Sequence, residues 1–272
     1  MVIRDYSYNN LRFKQALRWL PARLGLVNKG AYKLQINAIK TTDIFLVSYP
    51  KSGNTWLRYI LATAMKGKND FSFEELETII PDVYQSKTKI NALTGQRIIK
   101  VHEPLFDYFP KVIYIYRDFR DVVVSYYHYS INTKEFKGSL KEFIHSNFYE
   151  KYFGTWQNHI AKALEAKRNN KKILILCYED MLQNPELNIS KILHFTELKT
   201  ELSPKQIADL CEFSNLQRIE KNKGSYFGNN SLFFRQGEAT KGHSALDQED
   251  LNYLYAKPKV KELLKELGYL NE

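Results

Sequence analysis

A chain of 272 residues with 44% hydrophobic content is long enough for one sizeable domain with a proper core, and too short for more than two small ones. Its 40 basic against 30 acidic residues leave +10, which favours anionic partners: a phosphorylated cofactor, an acidic substrate, nucleic acid or a membrane surface. No signal-peptide core and no apolar run of about 20 residues is present, and Cys177 and Cys211 fit no metal spacing, so a soluble, cytoplasmic protein in a reducing compartment is expected.

In chain order, residues 1–40 read as a basic helical segment, with Leu17, Trp19 and Leu20 among Arg and Lys over Leu11 to Leu26; packing on its own domain is expected over membrane contact. Ile44 to Ser48 is a short apolar run and reads as a buried strand. Tyr49 to Asn54 is a break holding a Pro and a Gly, and Thr55 to Met65 has apolar residues at helical spacing. Phe73 to Ile80 is a short helix stopped by Pro81. Asp82 to Gln96 is polar without a clear period and reads as a loop over the site. Arg97 to Val101 and Lys111 to Tyr116 are the second and third strands. Asp118 to Ser130 follows as a helix with Asp118 as its N-cap, and Leu140 to Arg168 is helical with a break near Tyr149 to Thr155.

Ile173 to Cys177 is the fourth strand. Glu179 to Leu182 and Leu187 to Thr196 are helical, and Ser203 to Ile219 opens on Ser-Pro, a good helix start. Asn222 to Gly242 holds four glycines and little period; it reads as a mobile loop over the ligand. Gln248 to Leu267 is a closing helical pair broken at Pro258. Short apolar strands alternating with helices predict a single α/β domain over 1–272, with a central parallel sheet flanked by helices. Ligands of such sheets sit beyond the carboxyl ends of the strands. Lys51, His102 and Arg117 follow the first three strands in turn.

Strand, tight loop and helix over 44–65 make a P-loop-like anion cradle: backbone N–H groups converge with the helix dipole behind them. Lys51 adds a charge, and Ser52, Asn54 and Thr55 add side-chain donors. The common nucleotide P-loop places its Lys after the glycines; here Lys51 precedes Gly53, and the loop holds no earlier Gly. The fragment Tyr49-Pro50-Lys51-Ser52-Gly53-Asn54-Thr55-Trp56-Leu57 instead resembles the 5′-phosphosulfate loop of the PAPS-dependent sulfotransferases of the cytosolic, small-molecule type (PAPS is 3′-phosphoadenosine 5′-phosphosulfate, PAP the product 3′-phosphoadenosine 5′-phosphate). Tyr116-Arg117-Asp118 with Ser125 eight residues after the Arg resembles the family's 3′-phosphate motif; surface pairing of Arg117 with Asp118 or Asp121 is the competing reading. Ile98 to Leu105 resembles the segment carrying the catalytic base. Lys100 and His102, two apart on a strand, face one side. The resemblance makes His102 the general base, a role its pKa range suits, and Lys100 a contact to the transferring sulfuryl group. Glu103 reads by default as an exposed loop residue.

Further matches cover most of the chain. Cys177 to Met181 resembles a family stretch whose Tyr, here Tyr178, lies near adenine. Glu212 to Leu216 resembles a helix start whose Phe, here Phe213, sandwiches adenine against Trp56; both as plain core aromatics is the alternative. At Cys211 the family more often has Thr or Ser. Phe234-Arg235-Gln236-Gly237 resembles the Arg-Lys-Gly element over the 3′-phosphate, with Gln236 in place of the Lys, and Glu238 to His243 depart from the Gly-x-Trp continuation. The resemblance thus implies PAPS as sulfuryl donor, PAP as product and no metal. The implied acceptor is a small-molecule hydroxyl or amine, with Tyr84, Phe106, Tyr129, Tyr226 and Phe227 as pocket candidates by position. A P-loop kinase or ATPase and a basic nucleic-acid-binding protein are the rival readings. The family's short C-terminal dimer motif is not found, and no oligomeric state follows.

Overall fold

The computed structural model describes residues 39–84, 87–169, 171–227, 231–234 and 242–271; nearly all of the basic segment expected over 1–40 lies outside them, as do Arg235, Gln236 and Gly237. Four strands, β1 Ile44–Ser48, β2 Ile98–Val101, β3 Lys111–Tyr116 and β4 Ile173–Cys177, form one parallel sheet in the order β2-β1-β3-β4. Phe45 lies opposite Ile99 and Val112, and Ile113 opposite Leu174. Successive side chains point to opposite faces. Phe45, Val47, Ile99, Val112 and Tyr114 enter one core, whereas Ile44, Leu46, Ile98, Ile113 and Ile115 enter the other. Burial on both faces explains why these strands read as unbroken apolar runs and not as alternations.

Helices cover both faces: α1 Asn54–Lys66, α2 Phe73–Ile79, α3 Lys87–Ala92, α4 Phe119–Asn132, α5 Leu140–His145, α6 Trp156–Arg168, α7 Tyr178–Gln183, α8 Pro185–Thr196, α9 Pro204–Leu210, α10 Phe213–Lys223, α11 Gln248–Tyr255 and α12 Val260–Glu266. Leu57 and Ile60 of α1, Ile189 and Ile192 of α8 and Ile207 of α9 fill one core; Val122 and Val123 of α4, Ile160 of α6 and Leu264 of α12 fill the other. The Asp118 carboxylate accepts from the Arg120 N–H and caps α4 as its sequence predicts. Among the described residues no helix is long and apolar enough to cross a membrane.

The structure revises three expectations. Asp82 to Gln96 is not a free loop. Lys100 N–H donates to the Pro81 carbonyl (2.9 Å) and Val83 N–H to the Lys100 carbonyl (3.0 Å), so the chain after Pro81 lengthens the sheet edge before α3 forms around buried Ile90. Ser203 to Ile219 is two helices: Glu212 is extended, and the Asn215 side chain donates to the Asp209 carbonyl (2.8 Å), satisfying the end of α9 before α10 starts. α10 then runs through Lys223, beyond the point where the glycine-rich segment was expected to begin.

The chain order β2-β1-β3-β4 sends the chain from β1 to one side and from β3 to the other. The loops after β1 and β3 therefore part company at their shared edge, and this topological switch point is where a crevice opens. At the opposite end, Asp43 and Arg97 clamp the starts of β1 and β2: Arg97 Nε and Nη2 reach Asp43 Oδ1 and Oδ2 at 2.8 and 2.6 Å, and both residues are buried. Removing one partner strands a buried charge. Asp43→Ala is expected to lower stability by about 3–5 kcal/mol, and Asp43→Leu with Arg97→Met to recover much of that loss. A urea titration measures both, and a single-mutant loss near zero would contradict a buried pair.

Candidate functional site

The turn from β1 into α1 is built from left-handed backbone. Lys51 has φ +69° and Gly53 +100°. At Gly53 a side chain is excluded twice, by that conformation and by space, because a Cβ there would meet Tyr178 Cδ2 at 2.5 Å. The Tyr178 ring, at the start of α7 after β4, lies under the Arg117 guanidinium (4.4 Å to the centroid) and edge-on to Trp56 (5.7 Å). α1 is 13 residues long and carries no acidic side chain in its first turn, so its N-terminal dipole is uncompensated there.

The donors of this turn divide. Asn54 turns inward: its amide donates to Ser48 Oγ (3.1 Å) and weakly to the Leu46 carbonyl (3.4 Å), locking the loop to β1. Ser52 Oγ and Arg117 Nε are buried with no hydrogen-bond partner among the described residues. Lys51 Nζ lies 4.4 Å from the Tyr129 ring centroid and 4.2 Å from that of Phe233. Arg117, just beyond β3, approaches the buried Asp121 at 3.5 Å.

His102 follows β2. Its Nδ1 lies 2.8 Å from the Ser48 carbonyl, so Nδ1 carries the proton and Nε2 keeps its lone pair. The His102 N–H donates to Tyr84 Oη (2.7 Å), and that hydroxyl donates to Glu103. The His102 carbonyl accepts from His159 Nε2 (2.7 Å), and Tyr114 Oη donates to His159 Nδ1 (2.9 Å). Burial, with Lys100 adding positive charge nearby, holds the His102 pKa well below 6.5; burial pushes His159 down to about 4. Lys100 Nζ is paired to the buried Asp82 at 2.7 Å. Glu103, expected on an exposed loop, is buried, because Tyr84 folds back over it.

One cavity of about 930 Å³ gathers these groups. Lys51, Gly53, Asn54, Thr55, Trp56, Lys100, His102, Arg117, Ser125, Tyr178 and Phe213 line it, as do Tyr84, Tyr129 and Tyr226. Ser52 sits behind its wall. Phe106 packs instead on Tyr114 in the core (5.8 Å between centroids), and Phe227 stands behind Tyr129 and Tyr226 (5.9 and 5.3 Å). Trp56 and Phe213 touch at 5.3 Å, with Trp56 Nε1 donating to the Cys211 carbonyl (2.9 Å); Cys211 Sγ lies 3.3 Å from Thr63 Oγ1.

Some site residues carried no sequence signal. Phe73, Phe153 and Phe233 complete the aromatic wall. Glu220 is buried, and its carboxylate accepts the backbone N–H groups of Tyr226, Phe233 and Phe234 (3.2, 2.8 and 3.2 Å). Only the helical period of α10, with Leu216 and Glu220 on one face, hinted at an inward carboxylate.

The family model described as Sulfotransferase domain matches residues 41–265. Sulfotransferase 1 family member D1 of Mus musculus is 36% identical over 180 residues, covering 57% of this chain and 59% of that protein. Flavonol 3-sulfotransferase of Flaveria bidentis is 27% identical over 239 residues, covering 72% and 74%. The match thus spans less than two thirds of the mouse relative. Among solved structures, a retinol dehydratase in complex with androsterone and inactive cofactor PAP superposes with a TM-score of 0.65 at 20% identity, over 87% of this chain and 82% of that one. A mouse sulfotransferase complexed with PAP gives 0.64 at 21%, over 85% and 89%. Such identities speak for the fold, while the family model spans most of the chain and its matched residues 41–265 include the described residues that line the cavity: the chain belongs to the sulfotransferase domain family.

Proposed function

We propose that this chain is a cytoplasmic PAPS-dependent sulfotransferase acting on a hydroxyl or amine of a small molecule. The observation that carries the reading is the switch-point cavity, where a neutral His102, the Lys51 turn and Arg117 open onto one space. Relatives named as sulfotransferases, one of them a cytosolic sulfotransferase of Danio rerio, support it.

The residues fit the nucleotide. A glycine cradle, an uncompensated helix N-terminus and two buried donors without partners among the described residues suit an anion with more than one phosphate. Lys51 and the backbone of Ser52, Gly53, Asn54 and Thr55 would hold the 5′ end. Arg117 and Ser125, with Arg235, Gln236 and Gly237 from outside the described residues, would hold the 3′-phosphate. Trp56, Tyr178 and Phe213 would hold the adenine. PAPS supplies the sulfuryl group. His102 Nε2 takes the acceptor proton, and the Ser48 carbonyl steadies the imidazolium that forms through Nδ1–H. Lys100 commits one of its three donors to Asp82 and keeps the others for anionic oxygen. Tyr84, Tyr129 and Tyr226 line the acceptor side, with Phe106 and Phe227 supporting them from behind.

PAP is expected to stabilise the protein more than AMP, since Arg117 and Ser125 line the cavity as donors for a 3′-phosphate that AMP lacks. Ligand at a hundredfold its dissociation constant adds about 2.7 kcal/mol, which a thermal melt resolves. Arg117→Ala should erase most of the difference; equal shifts with the wild type would sink the 3′-phosphate assignment, and tight binding of ATP with Mg²⁺ instead would favour a kinase.

His102→Ala should lower turnover of a hydroxyl acceptor about 10²- to 10⁴-fold while leaving the PAP-induced shift intact. Loss of PAP binding in this variant would move His102 into the nucleotide site.

The acid limb of kcat/KM follows from the depressed His102 pKa. Protonation abolishes the base, so activity falls as pH drops through the folded-state value, which lies below 6.5. Because Lys100 contributes to the depression, Lys100→Met should move the limb to higher pH whatever it does to the maximal rate. A wild-type limb above pH 6.5, or no movement in Lys100→Met, contradicts this account.

A further inference from the structure

Asp121 stands one helical turn beyond Arg117 and is 1% exposed. Among the described residues, His243 and Arg117 face its carboxylate. The His243 N–H donates to Oδ1 at 2.9 Å, and the His243 ring Nδ1 lies 3.2 Å from the same oxygen. Arg117 Nη2 lies 3.5 Å from Oδ2. Gly242 closes the arrangement. Its φ of −65° is open to any residue, so the demand for glycine is one of space: a Cβ there would meet Asp121 Oδ1 at 2.6 Å and Asp121 Cα at 3.0 Å. Arg117, Asp121, Ser125 and Gly242 all line the same cavity.

A carboxylate walled into a site proposed for phosphate is unfavourable on charge alone. Burial without compensation is costly, and like charge repels the ligand. Its contacts supply a reason for it. The two oxygens hold different things: one holds the chain at 242–243 against the start of α4, the other holds one nitrogen of the Arg117 fork. We propose that Asp121 is a positioning residue of the nucleotide site. It aims the rest of the Arg117 guanidinium, including the buried Nε that lacks a partner among the described residues, into the cavity, and it docks Gly242–His243 as the wall beside it. The proposal rests on the nucleotide reading above. An arginine whose fork is already set gives up less rotamer freedom on meeting a phosphate, so a placed guanidinium binds more tightly than a mobile one of the same charge. On this proposal Asp121 acts through Arg117 and the 242–243 backbone and not by holding the phosphate itself.

Bare electrostatics and positioning predict opposite signs, which makes the test sharp. Dissociation constants for PAP and AMP are measured by calorimetry on wild type, Asp121→Asn and Gly242→Ala. With positioning, Asp121→Asn weakens PAP at least tenfold and AMP less than twofold. Gly242→Ala, which alters no charge and pushes 242–243 off Asp121, weakens PAP in the same direction and keeps the proposal testable if Asp121→Asn does not fold. In steady state the same variants raise the KM for PAPS and leave the KM for the acceptor alone. Unchanged or tighter PAP binding in Asp121→Asn, or equal losses of PAP and AMP in Gly242→Ala, overturns the inference. A wild type that binds PAP and AMP equally is a different failure: it removes the 3′-phosphate reading itself, and is seen before any variant is made.

Discussion

The site depends on a close approach between Gly53 and the Tyr178 ring. With φ at +100° and 2.5 Å from a would-be Cβ to Tyr178 Cδ2, no other residue lets α7 come so near the turn between β1 and α1. That proximity sets the rest. Tyr178 offers one face to Arg117 and an edge to Trp56, so the group after β3 and the aromatic from α1 are both indexed to the ring of a residue after β4. Lys51, itself left-handed, is thrown to the other side of the turn, toward Tyr129 and Phe233. A strained lysine beside an obligatory glycine is a backbone kept for geometry at some expense of stability.

His102 shows a second kind of control. Its N–H, carbonyl and Nδ1 are each engaged, by Tyr84, His159 and the Ser48 carbonyl, so the ring has one nitrogen left for chemistry. The depressed pKa makes the free nitrogen a weaker base than solvent-exposed imidazole. It also keeps that nitrogen unprotonated throughout the neutral range, and a base is useful only in that state. Lys100, on β2 two residues before it, is paired to Asp82 at 2.7 Å, so the nearby cation is tied to a carboxylate and not to the imidazole.

The four strands were legible because burial on both faces leaves an apolar run that no polar face interrupts. Lys51, His102 and Arg117 were legible as a set because strand ends in such sheets converge. Less could be read where one anchor does the work of many. Among the described side chains of α3 Ile90 is the buried one, and the pairing of Pro81 and Val83 with Lys100 is a contact between segments that no local pattern reports. Glu103 illustrates the same limit: its burial is decided by Tyr84, 19 residues away. Glu220 and Asp121 are ordinary helix acids in sequence, and it is the backbone of Tyr226, Phe233 and Phe234 on one and of His243 on the other that shows why they face inward.

The aromatic pair raises a question of space. A flat base between Trp56 and Phe213 needs about 3.5 Å on each side, hence centroids about 7 Å apart, whereas they stand at 5.3 Å and tilted by 46°. Trp56 is held by the Cys211 carbonyl and is buried, so it is the fixed member. Phe213 is only partly buried and opens α10, where it meets Phe234 edge-on at 5.9 Å. The Phe234 N–H in turn donates to Glu220, and its carbonyl accepts from Gln217, both on α10. Widening the gap therefore asks Phe213 to turn against a ring that its own helix holds in place. On the proposed reading, room for adenine is made at Phe213 by rotation of one side chain and not by movement of the β1–α1 turn, so the phosphate cradle and the base slot adjust independently.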